Sequence, residues 1–180
     1  MSNIGKQPVT VTAGVQVTID GRNAVVTGPK GTLEQMIPLG ITVEQTDGQL
    51  IVKKVHDSRE LEKYYGLTRA LLANMVTGVT DGFIKQMELH GVGYRSKVEG
   101  RDLVLNVGFA HPVRIIPPEG ITFIVTENNI QVSGINKQIV GDIASKIRKV
   151  RPPDPYKSKG IRYAGEKLKK KAGKSAKAGK

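Results

Sequence analysis

"GITVEQTDGQLIV", Gly40 to Val52, decides the fold, because the chain carries a second version of it. That version is "GITFIVTENNIQV", Gly120 to Val132, aligned without a gap at an offset of 80 residues. Ahead of each copy lies another matching pair. "DGRNAVV" (Asp20 to Val26) corresponds to "EGRDLVL" (Glu99 to Leu105) at an offset of 79. Behind each copy comes a helical pattern, starting near Asp57 and near Asn136. Three features in one order and at near-constant spacing mark a tandem duplication.

The elements of each unit follow from residue periodicity. Val15, Val17 and Ile19 alternate as in a strand, and so do Leu103, Leu105 and Val107, and Ile121, Phe123 and Val125. Asp20-Gly21 and Glu99-Gly100 supply turns, since glycine accepts positive φ without a Cβ clash. Leu61, Tyr65, Leu72, Met75, Val76 and Val79 recur at helical spacing. Asp57, with Glu60 three residues on, predicts a capping-box start for that helix. Ile139, Ile143 and Ile147 form the stripe of a second helix, with Lys146, Arg148 and Lys149 on its other faces. A small antiparallel sheet has one face to cover, and one helix can cover it. The expectation is therefore an α+β chain of two tandem duplicated domains, 1–81 and 82–155, each a small antiparallel sheet with one helix packed on it. A basic C-terminal extension, 156–180, follows. The join falls at Val79-Thr80-Asp81-Gly82, too short for a floppy linker.

Composition narrows the function classes. The chain has 180 residues, 38% of them hydrophobic, with 8 aromatics and no tryptophan, which predicts an aliphatic core. It has no cysteine, so disulfides and thiolate zinc sites are excluded. "MSNIGKQPVTVTAG" has no apolar signal region, and no apolar run reaches the roughly 20 residues of a membrane span. A cytoplasmic protein is expected. The net charge of +12 is unevenly placed. Residues 1–136 hold 13 basic and 13 acidic residues, whereas residues 137–180 hold 15 basic residues against Asp142, Asp154 and Glu166. The whole excess sits in the last quarter of the chain, which points to a polyanionic partner.

Catalytic patterns are missing. His56, His90 and His111 are scattered, with no carboxylate or histidine at metal-ligand spacing, so neither a metal nor a cofactor is expected. "GPKGT" (Gly28 to Thr32) lacks the phosphate-loop spacing and reads as a turn between strands. "GVGYRS" (Gly91 to Ser96) starts like a dinucleotide fingerprint but lacks the third glycine, and a strand follows it. Its glycines, with Tyr94 and Arg95, suit a close approach to a nucleic-acid backbone or an unstacked base. They suit equally a bulge with Tyr94 in the core. An enzyme is not expected.

The motifs resemble those of the bacterial large-subunit ribosomal protein L-six family over essentially the whole chain. The resemblance is carried by "SNIGKQPV", "VTGPKGTL" (Val26 to Leu33), "TRALLANMVTGVTDGF" (Thr68 to Phe83), "GVGYR", "GFAHPV" (Gly108 to Val113) and "RPPDPYKSKGIRY" (Arg151 to Tyr163). The chain departs from the family pattern at Ser158, usually Gly, and at Asp154, commonly Glu. It departs also at Asn3, usually Arg, and at His90, where an apolar residue is more usual. The resemblance implies two similar α+β domains and binding to large-subunit (23S) rRNA, mainly through the second domain and extension. It also implies a place near the base of the translation-factor stalk, beside neighbouring ribosomal proteins, and a structural rather than catalytic role. A sequence-tolerant RNA- or DNA-binding protein with a histone-like tail is the alternative.

The expected rRNA-binding residues are Gly91, Gly93, Tyr94 and Arg95 in the loop, with Lys149, Arg151 and Pro153 at the end of the second helix. Beyond them come Tyr156, Lys157, Ser158, Lys159, Gly160, Arg162, Tyr163, Lys167, Lys169, Lys170 and Lys171. Lys157, Lys159 and Arg162 are the expected phosphate contacts. Pro152, Pro153 and Pro155 favour an extended, polyproline-like course. Tyr156 and Tyr163 either stack on bases or pack back onto the second domain, and packing is preferred for Tyr156. Asp154 fits no phosphate and is expected to pair with Arg151 or a nearby lysine. Past Leu168 only Lys, Ala, Gly and Ser occur, a composition expected to be disordered when free.

Overall fold

The computed structural model describes residues 3–171. The chain divides into two compact units, residues 1–83 with 135–137, and residues 84–134 with 138–180.

The first unit contains β1 (Val9–Thr10), β2 (Gln16–Asp20), β3 (Asn23–Gly28), β4 (Gly31–Met36), β5 (Ile41–Thr46), β6 (Gln49–Lys54) and helix α1 (Arg59–Thr80). The strands form two three-stranded antiparallel sheets, β2-β3-β4 and β1-β6-β5. The first unit thus has two sheets where the sequence predicts one. Helix α1 packs on both. Its inner stripe of Leu61, Leu72, Met75, Val76 and Val79 meets Val26, Ile37, Leu50 and Val52 of the strands and turns, all buried. The predicted stripe also holds a buried Thr68, while Tyr65 is half-buried.

The cap of α1 is not Asp57. Ser58, in extended conformation, accepts the Leu61 N–H at 3.2 Å through its Oγ. Asp57 instead makes an ion pair with Lys54. At the other end, "GPKGT" forms the predicted turn: the Lys30 N–H donates to Val79 O at 3.0 Å, and its Nζ reaches Asp81 O. That lysine lies where the helix carbonyls concentrate negative charge.

The second unit repeats this plan. It has β7 (Phe83–His90), β8 (Arg95–Glu99), β9 (Asp102–Asn106), β10 (Val113–Ile115), β11 (Ile121–Thr126), β12 (Asn129–Gly134), α2 (Lys137–Val150) and β13 (Gly160–Tyr163). The duplication holds at the level of strand register. Val43 pairs with Val52, and Phe123 with Val132, both members shifted by 80. Asp20 pairs with Asn23 and Glu99 with Asp102, shifted by 79. Gly21 and Gly100 open these turns at φ +55° and +65°, as a type II′ hairpin requires at its first central residue. The buried stripe of α2 is Val140, Ile143, Ala144 and Ile147, with Ile139 only half-buried.

Among the described residues, one strand has no counterpart in the first unit. The sheet β1-β6-β5 becomes β13-β7-β12-β11, with β13 added at its edge. Residues 160–163, expected in an extension beyond the second domain, are thus part of that unit's sheet. Ile161 is fully buried.

Candidate nucleic-acid interface

From Arg151 onward the chain turns back rather than running on. The Asp154 N–H donates to Lys159 O, and the Ser158 N–H donates to Asp154 O, both at 2.9 Å. Asp154 Oδ2 accepts the N–H groups of Tyr156 (3.2 Å) and Lys157 (2.7 Å). Its role is therefore to close the turn at 155–157, not to pair with Arg151 or a lysine. The prolines support this turn in place of a continuous extended course, because the carboxylate captures the backbone donors beyond them. Ser158 sits in the left-handed region at φ +57°, with its Oγ buried and unpartnered among the described residues.

Gly160 then admits the chain to the sheet. A Cβ there would stand 2.6 Å from Pro152 O and from Pro153 Cα, at a φ of +146°. Past it, Gly160, Ile161, Arg162 and Tyr163 pair with His90, Leu89, Glu88 and Met87 of β7. The Ile161 N–H donates to Arg151 O at 2.8 Å, and the Lys171 N–H returns to Pro155 O at 3.0 Å.

This register sets the turn beside the "GVG" loop. Between them opens a cleft of about 780 Å³, lined by His90, Gly91 and Val92 from the loop side. Lys157, Ser158, Lys159, Arg162, Glu166, Lys167, Leu168 and Lys170 line the other side. Of the expected residues, Gly91, Lys157, Ser158, Lys159, Arg162, Lys167 and Lys170 come together here. Gly93, Tyr94, Arg95, Lys149, Arg151, Pro153, Tyr156, Gly160, Tyr163, Lys169 and Lys171 lie outside its wall. Tyr94 folds over its own loop: a Cβ on Gly91 would meet its ring at 2.7 Å. Arg95 is exposed in β8, opposite Asn106. Val92, which the sequence did not single out, is 89% exposed at the loop tip. His90 and Glu166 were missed as well, because only the β7–β13 register brings them here.

Tyr156 is 57% exposed, contrary to the preference for packing. Tyr163 is half-buried, with the Arg148 guanidinium 5.9 Å and Lys85 Nζ 6.0 Å from its ring centroid. The Arg151 guanidinium stands 5.3 Å from the Phe109 ring centroid.

The acidic residues near the cleft are already engaged. Arg162 donates from Nε (2.9 Å) and Nη2 (2.7 Å) to Glu88 Oε2, which also holds His90 Nε2 at 2.9 Å. The His90 hydrogen bond, and then that of Arg162, hold the Glu88 carboxyl below the usual carboxylate range. Glu166 takes Arg148 Nη2 at 2.5 Å and the Tyr163 N–H at 3.0 Å. Arg148 is the main cause of its lowered pKa, and Glu166 in turn raises that of Arg148. Among the described residues no carboxylate lies within 4.0 Å of the ammonium groups of Lys157, Lys159, Lys167 or Lys170. Of the cations that line the cleft, these four are left to meet a ligand. Among the described residues no three His, Cys, Asp or Glu side chains cluster as metal ligands, and no helix is long and apolar enough to cross a membrane.

The fold and this surface define the class: a tandemly duplicated α+β protein whose second unit gathers unpaired lysines around an open cleft. The family model described as ribosomal protein L6 matches residues 11–82 and 90–164, one stretch per repeat. The large ribosomal subunit protein uL6 of Nostoc sp. is 54% identical, with 100% of both chains covered. Those of Thermomicrobium roseum (54%, 98% of this chain and 97% of its own) and Salinispora arenicola (50%, 98% and 99%) are similar throughout as well. The chain belongs to the ribosomal protein L6 family.

Proposed function

We propose that the chain is a structural constituent of the large subunit of the cytoplasmic ribosome, binding large-subunit (23S) rRNA through its second unit. The observation that carries this reading is the unpaired lysine set at the cleft, Lys157, Lys159, Lys167 and Lys170. Each is free to replace counterions along a phosphate backbone. Arg162, held by Glu88, shapes the wall more than it adds charge. Lys169 and Lys171 extend the same cationic surface, and exposed Tyr156 offers a stacking face. The flanking glycines let the Val92 loop come close to a ribose-phosphate chain. The role is binding without catalysis, near the base of the translation-factor stalk and beside neighbouring ribosomal proteins.

Sucrose-gradient sedimentation of cell extract at low and high salt tests this. The chain should travel with the large subunit at low salt and be released as salt rises. Recovery only in ribosome-free fractions at low salt would contradict the reading, and recovery on bulk DNA would favour the sequence-tolerant alternative. Deleting residues 150–180 is a poor probe, because it removes β13 and the buried Ile161 along with the charge.

A further inference from the structure

His90 ends β7, opposite Gly160 at the start of β13. It lines the cleft with Lys157, Lys159, Arg162 and Lys167, and its side chain is 43% exposed. Nε2 lies 2.9 Å from Glu88 Oε2. An ionised carboxylate only accepts, so Nε2 is the protonated nitrogen and Nδ1 is the ring's second hydrogen-bonding position. Glu88 also carries both bonds from Arg162. With a neutral imidazole, Glu88, Arg162 and His90 sum to zero charge; with an imidazolium they sum to +1. The other charged groups lining the cleft are Lys157 and Lys159 on the turn, and Lys167, Lys170 and Glu166 on the C-terminal segment. Glu166 is already paired with Arg148. An anion entering a cleft lined by more lysines than carboxylates adds negative charge beside the ring and so favours its positive form.

We propose that His90 is an anion-binding residue of this cleft, taking up a proton at Nδ1 as a phosphate group docks. The inference rests on the reading of the cleft as a phosphate-binding surface. Nδ1–H donates to a phosphate oxygen while Nε2–H stays on Glu88, so one ring bridges protein and ligand. Histidine is the side chain suited to this, since its charge changes between about pH 5 and 8. Because the bound ring holds its proton more tightly, affinity is higher on the acid side and falls as pH rises through the bound-state pKa.

The direct test follows the imidazole ring protons of the full-length chain by NMR against pH, with and without inorganic tripolyphosphate. His90→Gln assigns the signal. The His90 midpoint should rise by about half a unit to one unit with tripolyphosphate, while those of His56 and His111 stay in place. A His90 midpoint that moves no further than the other two would overturn the proposal. A second arm measures affinity for large-subunit rRNA between about pH 8 and about pH 6. The wild-type chain should gain about 3- to 10-fold on acidification, and His90→Gln should lose that gain. Equal gains in both proteins would overturn the role of His90 and leave the rRNA reading intact. If neither protein binds rRNA, that reading fails, and the tripolyphosphate titration still decides the case of His90.

Discussion

Gly160 and Ser158, two residues apart, are both held at positive φ, with opposite consequences for substitution. At Gly160 the backbone of Pro152 and Pro153 occupies the space of a side chain. Gly160→Ala should cost about 2 kcal/mol or more, read by denaturant unfolding of the full chain. Ser158 is strained in the left-handed region and buries a hydroxyl without a partner among the described residues. Ser158→Gly should therefore stabilise by about 0.5–1 kcal/mol, after the greater chain entropy of glycine offsets part of the gain. A loss of stability in Ser158→Gly would mean that the hydroxyl has a role in the turn. Sequence marked both positions through the resemblance, Gly160 within the signature and Ser158 as a departure from it. The physical reason for each needed the neighbouring backbone.

At the scale of elements, β13 ties the C-terminal segment to the second unit by burying Ile161 and by two ion pairs that link it to β7 and α2. Ile161→Ala should cost about 2–4 kcal/mol, the usual range for truncating a buried aliphatic side chain, measured by chemical denaturation. Glu88 and Glu166 both titrate below the ordinary carboxylate value of 4.5. Their contribution is fully present above about pH 4.5 and is lost as pH falls further through their folded-state values. Stability of the wild-type chain should drop over that range, and a Glu88→Gln, Glu166→Gln double variant should show a shallower drop. The duplicated hairpins and both helices were legible in sequence, because periodicity and turn glycines are local signals. β13 was not, since "GIRY" looks like part of a basic run until its partner some 70 residues earlier is known. The cap of α1 moved by one residue for a similar reason: Asp57 and Ser58 are both good caps, and the ion pair with Lys54 decides between them.

For the whole molecule, charge segregation is the organising fact. Residues 1–136 are neutral and the remainder carries +12, yet part of that excess is already matched within the second unit. Arg148 and Arg162 hold carboxylates, which leaves the lysines of the turn and C-terminal segment as the working surface. Of the residues past Leu168, expected from composition to be disordered when free, 172–180 lie outside the described residues, while the Lys171 N–H is bonded to Pro155 O. The measurement that tests the central claim is the salt dependence of affinity for large-subunit rRNA. It compares the wild-type chain with a Lys157→Ala, Lys159→Ala, Lys167→Ala, Lys170→Ala variant shown to be folded. Every phosphate that a lysine no longer neutralises should lower the log–log slope by roughly 0.7–0.9, so the variant should bind more weakly with a slope shallower by about 3. An unchanged affinity and slope in the folded variant would contradict the claim that this cleft is where the protein holds its RNA.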